Sequence, residues 1–416
     1  MDICQISCKF VHRFGNKKMQ NIDTLTIIVS VVLIFLALLT PFINPFFRSV
    51  RKKGYAQSKD NIIETCERPT TNSETSQKEG YPSISILLTP TDNAEVVSEN
   101  LSLYLNQDYP SDFQVIVVAP EKDKETEDVL KQHTNERLYF TFIPDSSRYM
   151  SKKKLAITLG VKAAEYNWIA MADIFCKPSS ENWLKTLADG ISEKTDLIVG
   201  STQYDEGTTD FKKFERFLTA QYLLREYAFK TPYRCEDNAL MFKKDMFLNN
   251  EGFRGNLKYI RGEFDFIVNK YALKGNLTYI DNEEGTLIEP APTDKMYRDK
   301  HLFYMEDRKH LERSTKHRLI FNIDQWALHL NYIALLAGGT FAGVTKNWII
   351  LGAAVLALLL TLSIRILIFY KRSKLLGVDI SLWKIIFYEI RIIWHNIKFM
   401  IMYRRADKYD FISHKL

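Results

Sequence analysis

The side chains best suited to chemistry in this chain are polar groups that close apolar runs. Asp173 ends the run WIAMA (168–172), and Glu121 follows QVIVV (114–118) across Ala119 and Pro120. Pro90, Asp92 and Asn93 come directly after SISILLT (83–89). Further on, Glu263 and Asp265 flank Phe264, and Arg308, Lys309 and His310 stand in a row. Carboxylates can take a proton or ligate a hard cation. A basic triplet can hold a diphosphate or meet lipid head groups. Each group also has an ordinary structural use. Asp173 suits a helix cap or turn, Asp92 and Asn93 an Asx-turn, and Glu263 with Asp265 an exposed helix face. The five cysteines (Cys4, Cys8, Cys66, Cys176, Cys235) contain no pair of zinc-ligand spacing matched by a second pair. They read as reduced thiols of a cytosolic domain, with Cys176 a buried small residue rather than a nucleophile.

The elements that must position these groups alternate. Strands are expected at 83–89, 114–118, 138–143, 168–172 and 196–200. Helices are expected at 94–106, 124–133, 155–165 and 211–229, from apolar spacings such as Val97, Leu101, Tyr104 and Leu105. Repeated strand–helix units of this length predict a mostly parallel α/β sheet with right-handed crossovers. Ligands of such sheets bind at the carboxyl ends of the strands. The loops that begin at Pro90, Ala119, Pro144 and Asp173 are therefore the expected site.

Around this domain lie apolar segments. Residues 25–47 are uncharged and long enough to cross a bilayer, and the basic flank Arg48, Arg51, Lys52 and Lys53 argues for an uncleaved anchor. Residues 326–370 read as two membrane helices joined tightly at Thr345-Lys346-Asn347, the first weakened by His329 and Asn331. The polar stretch 48–81 reads as a flexible linker. The basic tail 371–416 has ten Lys/Arg against four Asp/Glu, a net +6, so the residues before it sum to zero. Such a tail suits an anionic membrane surface rather than nucleic acid. Within it, 383–402 reads as an interfacial amphipathic helix. The hairpin puts the main domain and the tail on one side, cytoplasmic by the positive-inside rule. Residues 1–24, with Lys9, Arg13, Lys17 and Lys18, would then lie outside unless translation starts at Met19. Recovery of peptides from Asp2 to Lys18 of the native protein would exclude that start.

The segments PSISILLTPTDNAEVVSENLSLYLNQDYPSDFQVIVV, KKKLAITLGVKAAEYNWIAMAD and CKPSSENWL, taken in that order, resemble the family 2 glycosyltransferases of the GT-A fold. The likeness continues through TPYRCEDNALMFKKDMF, IRGEFDFIVNKYALKGN and FYMEDRKHLERSTKHR, as in the membrane-bound bacterial members. It implies a GT-A domain over 82–324 that uses a nucleotide-diphospho-sugar and a lipid-linked or glycan acceptor at the bacterial inner membrane. It implies donor binding by Pro90, Asp92, Asn93, Glu121 and Asp173, and by Arg308, Lys309 and His310. It also implies a catalytic base near Glu263 and Asp265.

The pattern departs from the family at its chemical centre. The family's Asp-x-Asp, which holds Mg²⁺ or Mn²⁺, reads Asp173-Ile174-Phe175, so Asp173 is the one metal ligand left. Phe264 aligns with the base, with an acid on either side, and a register shift of one would put Asp265 there. Two functions follow: an active membrane glycosyltransferase, or a catalytically degenerate relative acting as a binding or scaffold partner in glycan assembly. A transporter fits poorly, because the few spans lack repeats and midplane polar sites.

Overall fold

Residues Ile84–Leu88 (β1) are all buried, and their alternation divides the protein's main core in two. Ile84, Ile86 and Leu88 enter one apolar cluster, Leu87 the other. A strand buried on both faces belongs in the middle of a helix-covered parallel sheet, and β1 occupies that place. The structure, a computed structural model, describes residues 23–43, 80–144, 151–229, 232–312, 315–375, 377–378 and 380–413. The expectations for the N-terminal segment and for nearly all of the linker fall outside the described residues.

The other strands are β2 (Phe113–Pro120), β3 (Leu138–Ile143), β4 (Trp168–Ala172), β5 (Lys177–Pro178), β6 (Leu197–Gly200), β7 (Thr202–Tyr204), β8 (Ala239–Lys243), β9 (Leu277–Ile280) and β10 (Leu287–Glu289). Seven of them form a sheet in the order β3-β2-β1-β4-β8-β6-β9, and β5-β10-β7 form a small second sheet. Every pairing in the large sheet is parallel except those of β8, which runs against β4 and β6. The mixed, mostly parallel α/β sheet expected from the sequence is therefore present.

The helices are α1 (Thr24–Ile43), α2 (Ala94–Leu105), α3 (Lys124–Gln132), α4 (Lys152–Ala163), α5 (Trp183–Ala188), α6 (Asp210–Phe229), α7 (Lys244–Asn249), α8 (Glu263–Tyr271), α9 (Asp294–Asp307), α10 (Thr315–Thr345), α11 (Trp348–Leu375) and α12 (Leu382–Arg405). Residues of α2 and α5 fill the first cluster, and residues of α4, α7 and α8 the second. Gly160 lets α4 lie close on the sheet, since a Cβ there would stand 2.3 Å from Leu87 Cδ1. The helix expected at 155–165 starts three residues earlier. Lys153 and Lys154 thus sit in its first turn, held by partners that local sequence does not reveal.

The chain divides into two units. One comprises 1–48 and 318–369, the other 49–317 and 370–416. In the first, helical stretches of 20, 24 and 27 residues (Thr24–Ile43, Asn322–Thr345, Trp348–Lys374) are long and apolar enough to span a membrane. Asn331, which weakens the second on paper, is buried and donates to Thr361 Oγ1 at 3.0 Å. Asn347, in the hairpin turn, donates to Thr26 Oγ1 at 2.7 Å. In the second unit α12 packs on the main domain through Ile385, Ile392, Phe399 and Tyr403. Trp383, Phe387, Trp394 and Ile401 remain exposed. The tail is thus part of the main unit, with an apolar stripe left open.

Candidate active site

The reversed strand decides what meets Asp173. Because β8 is antiparallel to β4, its first residue, Ala239, pairs with the last of β4, Ala172. The segment Arg234–Asn238 that leads into β8 is therefore delivered to the tip of β4. The contact is direct, since Asp173 N–H donates to Asn238 O at 3.3 Å.

Asp173 is paired with a lysine. Lys153 Nζ lies 3.0 Å from Asp173 Oδ2 and 3.0 Å from Glu263 Oε1, so one ammonium bridges the tip of β4 and the start of α8. Phe175 N–H donates to Asp173 Oδ1 at 3.2 Å. Burial pushes the Asp173 carboxyl up, but Lys153 and this amide outweigh it and leave it below the usual range. The second oxygen of Glu263, Oε2, is buried without a protein partner.

Lys154 organises the segment before α8. Its Nζ donates to the carbonyls of Asn256 (3.1 Å), Tyr259 (2.5 Å) and Arg261 (2.9 Å). Burial lowers its pKa to about 8. Gly262 then turns the chain into α8 at φ +80°, a backbone region that suits glycine. Consecutive lysines thus hold Glu263 in place, one by its carboxylate and one through the carbonyls of the segment that precedes it.

Asp265 faces elsewhere. It accepts the Cys235 N–H at 3.0 Å and lies 4.0 Å from Arg234. Burial raises its carboxyl to about 7, against the pull of Arg234. Phe264, between the two acids, is buried in the second apolar cluster.

Beyond Asn238 lies a buried charge network absent from the sequence reading. Arg216 of α6 pairs with Glu289 of β10 at 2.7 Å, and Asn238 donates to the same Glu289 oxygen at 3.0 Å. Arg234 pairs with Glu236 at 2.7 Å, while Lys300 of α9 lies 3.6 Å from Glu236 and 3.8 Å from Glu289. Burial works against ionised Glu236, yet Arg234, Lys300 and Arg216 together hold it at about 2. Neighbouring Asp237, lacking so close a cation, is raised by burial to about 6. The signal available was CEDN, acids placed directly before an apolar strand. Its meaning depends on that strand running backwards.

The donor-side residues gather at the tips of β1 and β2. Pro90 is buried, Asp92 has φ 51°, and the Asn93 amide contacts Thr91 O. Asp123, missed in the sequence, ties them together. It caps α3 through Thr126 N–H at 3.1 Å and accepts Asp92 N–H at 3.0 Å. Glu121 is exposed beside it. Arg308, Lys309 and His310 are engaged otherwise, at the end of α9. Arg308 lies over the Tyr304 ring, Lys309 meets Glu306 and Tyr403, and His310 stacks on Tyr259 at 4.1 Å. The structure brings Asp173 and Glu263 together, and gives this triplet partners outside the strand tips.

The residues present fit a two-carboxylate metal site poorly. Phe175 is half-buried against the first cluster, and Asp173 already has a cation beside it. A divalent ion is compatible with Asp173 as a lone protein ligand, the remainder being phosphate oxygens and water.

The mostly parallel sheet with one reversed strand is of the GT-A type found in glycosyltransferases. The chain carries their family 2 domain: residues 86–247 match the model of glycosyl transferase family 2. Among solved structures, it is similar to the mannosyltransferase PcManGT from Pyrobaculum calidifontis in complex with GDP-Man and Mn²⁺. The identity is 15%, the TM-score 0.46, and the match covers 79% of this chain and 96% of that one. Another is S. aureus TarS 1-349 in complex with UDP-GlcNAc, at 13% identity, TM-score 0.38, and 64% and 76% coverage. A third is glucosyl-3-phosphoglycerate synthase from Mycobacterium tuberculosis, at 12% identity, TM-score 0.33, and 50% and 71% coverage. No curated protein sequence matches the chain.

Proposed function

We propose that this protein transfers a sugar from a nucleoside-diphospho-sugar to a lipid-linked or polysaccharide acceptor at the bacterial inner membrane, with its main unit in the cytoplasm. The observation that carries the reading is the Asp173–Lys153–Glu263 bridge at the strand tips. It provides a fixed cation where a diphosphate leaving group needs positive charge. It also holds Glu263, whose second carboxylate oxygen is buried without a protein partner and would take the acceptor's hydroxyl proton once an acceptor reaches it. Asp265 is the weaker candidate for that step, because its carboxylate is turned toward Cys235 and Arg234. Asp92, Asn93 and Glu121 line the edge where the nucleotide would lie. Membrane placement is supported by the three apolar helices and by the exposed Trp383, Phe387 and Trp394 of α12.

A second reading is favoured by one observation: the aligned base position is a buried phenylalanine and the surrounding acids are already ion-paired. On that reading the domain is a scaffold in glycan assembly. Calorimetry of the full chain in detergent with UDP- and GDP-sugars, with and without Mn²⁺, separates the two. Binding of one donor, lost in Asp173→Ala, is the expected result. Absence of binding to any nucleotide sugar would leave the scaffold.

A further inference from the structure

Away from the strand tips, three helices of the main unit converge on a second polar cluster. Glu215 of α6, His301 of α9 and His395 of α12 bring their ligand atoms within 4.8 Å of one another. His301 Nε2 is 2.8 Å from Glu215 Oε1, and His395 Nε2 is 3.6 Å from the same oxygen. Tyr297, one turn before His301, sets its hydroxyl against Glu215 Oε2 and 3.2 Å from His395 Nε2. The three side chains are 12–16% exposed, so water is scarce around them.

The far nitrogen of His301 fixes the near one. Nδ1 lies 2.7 Å from the Tyr297 carbonyl, which only accepts, so Nδ1 carries the hydrogen. In the neutral ring, Nε2 then presents a lone pair to a carboxylate oxygen at hydrogen-bond distance. At that separation the two atoms are joined either by a proton on Nε2 or by a metal ion that both ligate. A proton on Nε2 would serve this one pair. It would not serve His395, whose Nε2 converges on the same oxygen at 3.6 Å from a third helix. A backbone carbonyl on the outer nitrogen is also the usual outer shell of a metal-bound histidine.

We propose that Glu215, His301 and His395 form a zinc site that fastens the C-terminal helix to the main unit. Two imidazoles and one carboxylate are a donor set for Zn²⁺ rather than for Mg²⁺ or Ca²⁺, which favour oxygen alone. The fourth position falls to the Tyr297 hydroxyl or to water. Nothing in the sequence spacing announces the site, because its ligands lie 86 and 94 positions apart and meet only through the packing of three helices. It also reaches the first site. Lys300, the residue before His301 on α9, enters the Glu236–Glu289 network. Zinc on one side of α9 would thereby set the position of a charge on the other.

The test uses the full chain purified in detergent without added metal, its zinc measured by plasma mass spectrometry. About one zinc per chain is expected, lost in both Glu215→Gln and His395→Gln. Their zinc affinity should fall by more than the ~10–100-fold typical of outer-shell changes. In the wild-type chain, chelation should lower the unfolding midpoint, zinc should restore it, and Co²⁺ refilling should give the visible spectrum of a tetrahedral ion. The wild-type measurements stand even where a variant fails to fold. A wild-type chain that carries no zinc and takes up no Co²⁺ has only an imidazolium–carboxylate pair here, and the proposal fails. Zinc retained in either variant would place the metal elsewhere and overturn it equally.

Discussion

Replacing Lys153 by methionine keeps the length and apolar stem of the side chain and removes its charge. In the wild type the ammonium touches two carboxylates at 3.0 Å each. At an effective dielectric of 20 each contact attracts by about 5 kcal/mol. Most of that gross figure offsets the cost of withdrawing three charged groups from water. Removing one member of a fully buried pair costs about 3–5 kcal/mol, because the partner is left uncompensated. The Lys153 and Asp173 side chains are 28% and 22% exposed, and Glu263 7%, so water screens part of the loss. Lys153→Met should therefore destabilise the folded chain by about 2–3 kcal/mol near neutral pH. The loss should shrink toward low pH, as the stranded Asp173 carboxylate protonates. The same variant opens a pair of acids to a divalent ion, so Mn²⁺ should raise its unfolding midpoint while barely moving that of the wild type. Thermal unfolding followed by tryptophan fluorescence, across pH and Mn²⁺ concentration, reads both effects. A variant as stable as the wild type, with no response to Mn²⁺, would refute the bridge and the reasoning built on it.

Three further outcomes follow from the same geometry. Asp265 keeps its proton to about pH 7 in the folded chain but releases it near 3.9 when unfolded, so its contribution to stability declines as pH rises from about 4 to 7, by at most about 4 kcal/mol. Asp265→Asn, which can still accept the Cys235 N–H, should flatten that decline in unfolding midpoints taken from pH 5 to 8; an unchanged slope would show that the proton is held elsewhere. Gly262→Ala adds a methyl at φ +80° whose Cβ would meet Asp307 Oδ2 at 2.8 Å, and should cost about 2–4 kcal/mol by thermal unfolding, with sugar transfer falling alongside as Glu263 shifts. Phe175→Asp places a second carboxylate near Asp173, and calorimetry should then detect tighter Mn²⁺ binding than in the wild type; no gain would mean that Lys153 still holds the place.

Sequence periodicity served well wherever an element's own residues decide its form. β3 and β4 lie at the expected residues, 138–143 and 168–172, and α2 and α3 end within one residue of expectation. Their signals are local: apolar runs and helical spacing. The site was legible only in part. Asp173 and Glu263 were among the expected residues, and the structure joins them. Lys153 was not, because Lys152-Lys153-Lys154 looks like a solvated cationic patch. One of the three instead bridges two acids, and the next is buried against three carbonyls. Arg234, Glu236 and Glu289 escaped for a different reason. Their convergence depends on the antiparallel run of β8 and on the small second sheet, and neither leaves a period in the sequence.

The sequence departures also look less independent once their positions in space are known. On the alignment expected from the sequence, Phe175 in the loop after β4 and Phe264 in the first turn of α8 stand where the family pattern carries carboxylates. Lys153 lies between what remains on either side, Asp173 and Glu263, and balances their charge. Behind them, Arg216, Arg234 and Lys300 stand against Glu236 and Glu289. A site that had merely decayed would leave buried acids unpaired, at a cost of several kcal/mol each. Here the acids that remain ionised have cations at 2.7–3.0 Å, while the poorly compensated Asp237 and Asp265 are pushed toward neutrality. Lys153, Arg216, Arg234 and Lys300 together balance Asp173, Glu263, Glu236 and Glu289, so a donor diphosphate would bind at these strand tips by displacing a carboxylate from Lys153, and the donor-binding measurement tests that exchange.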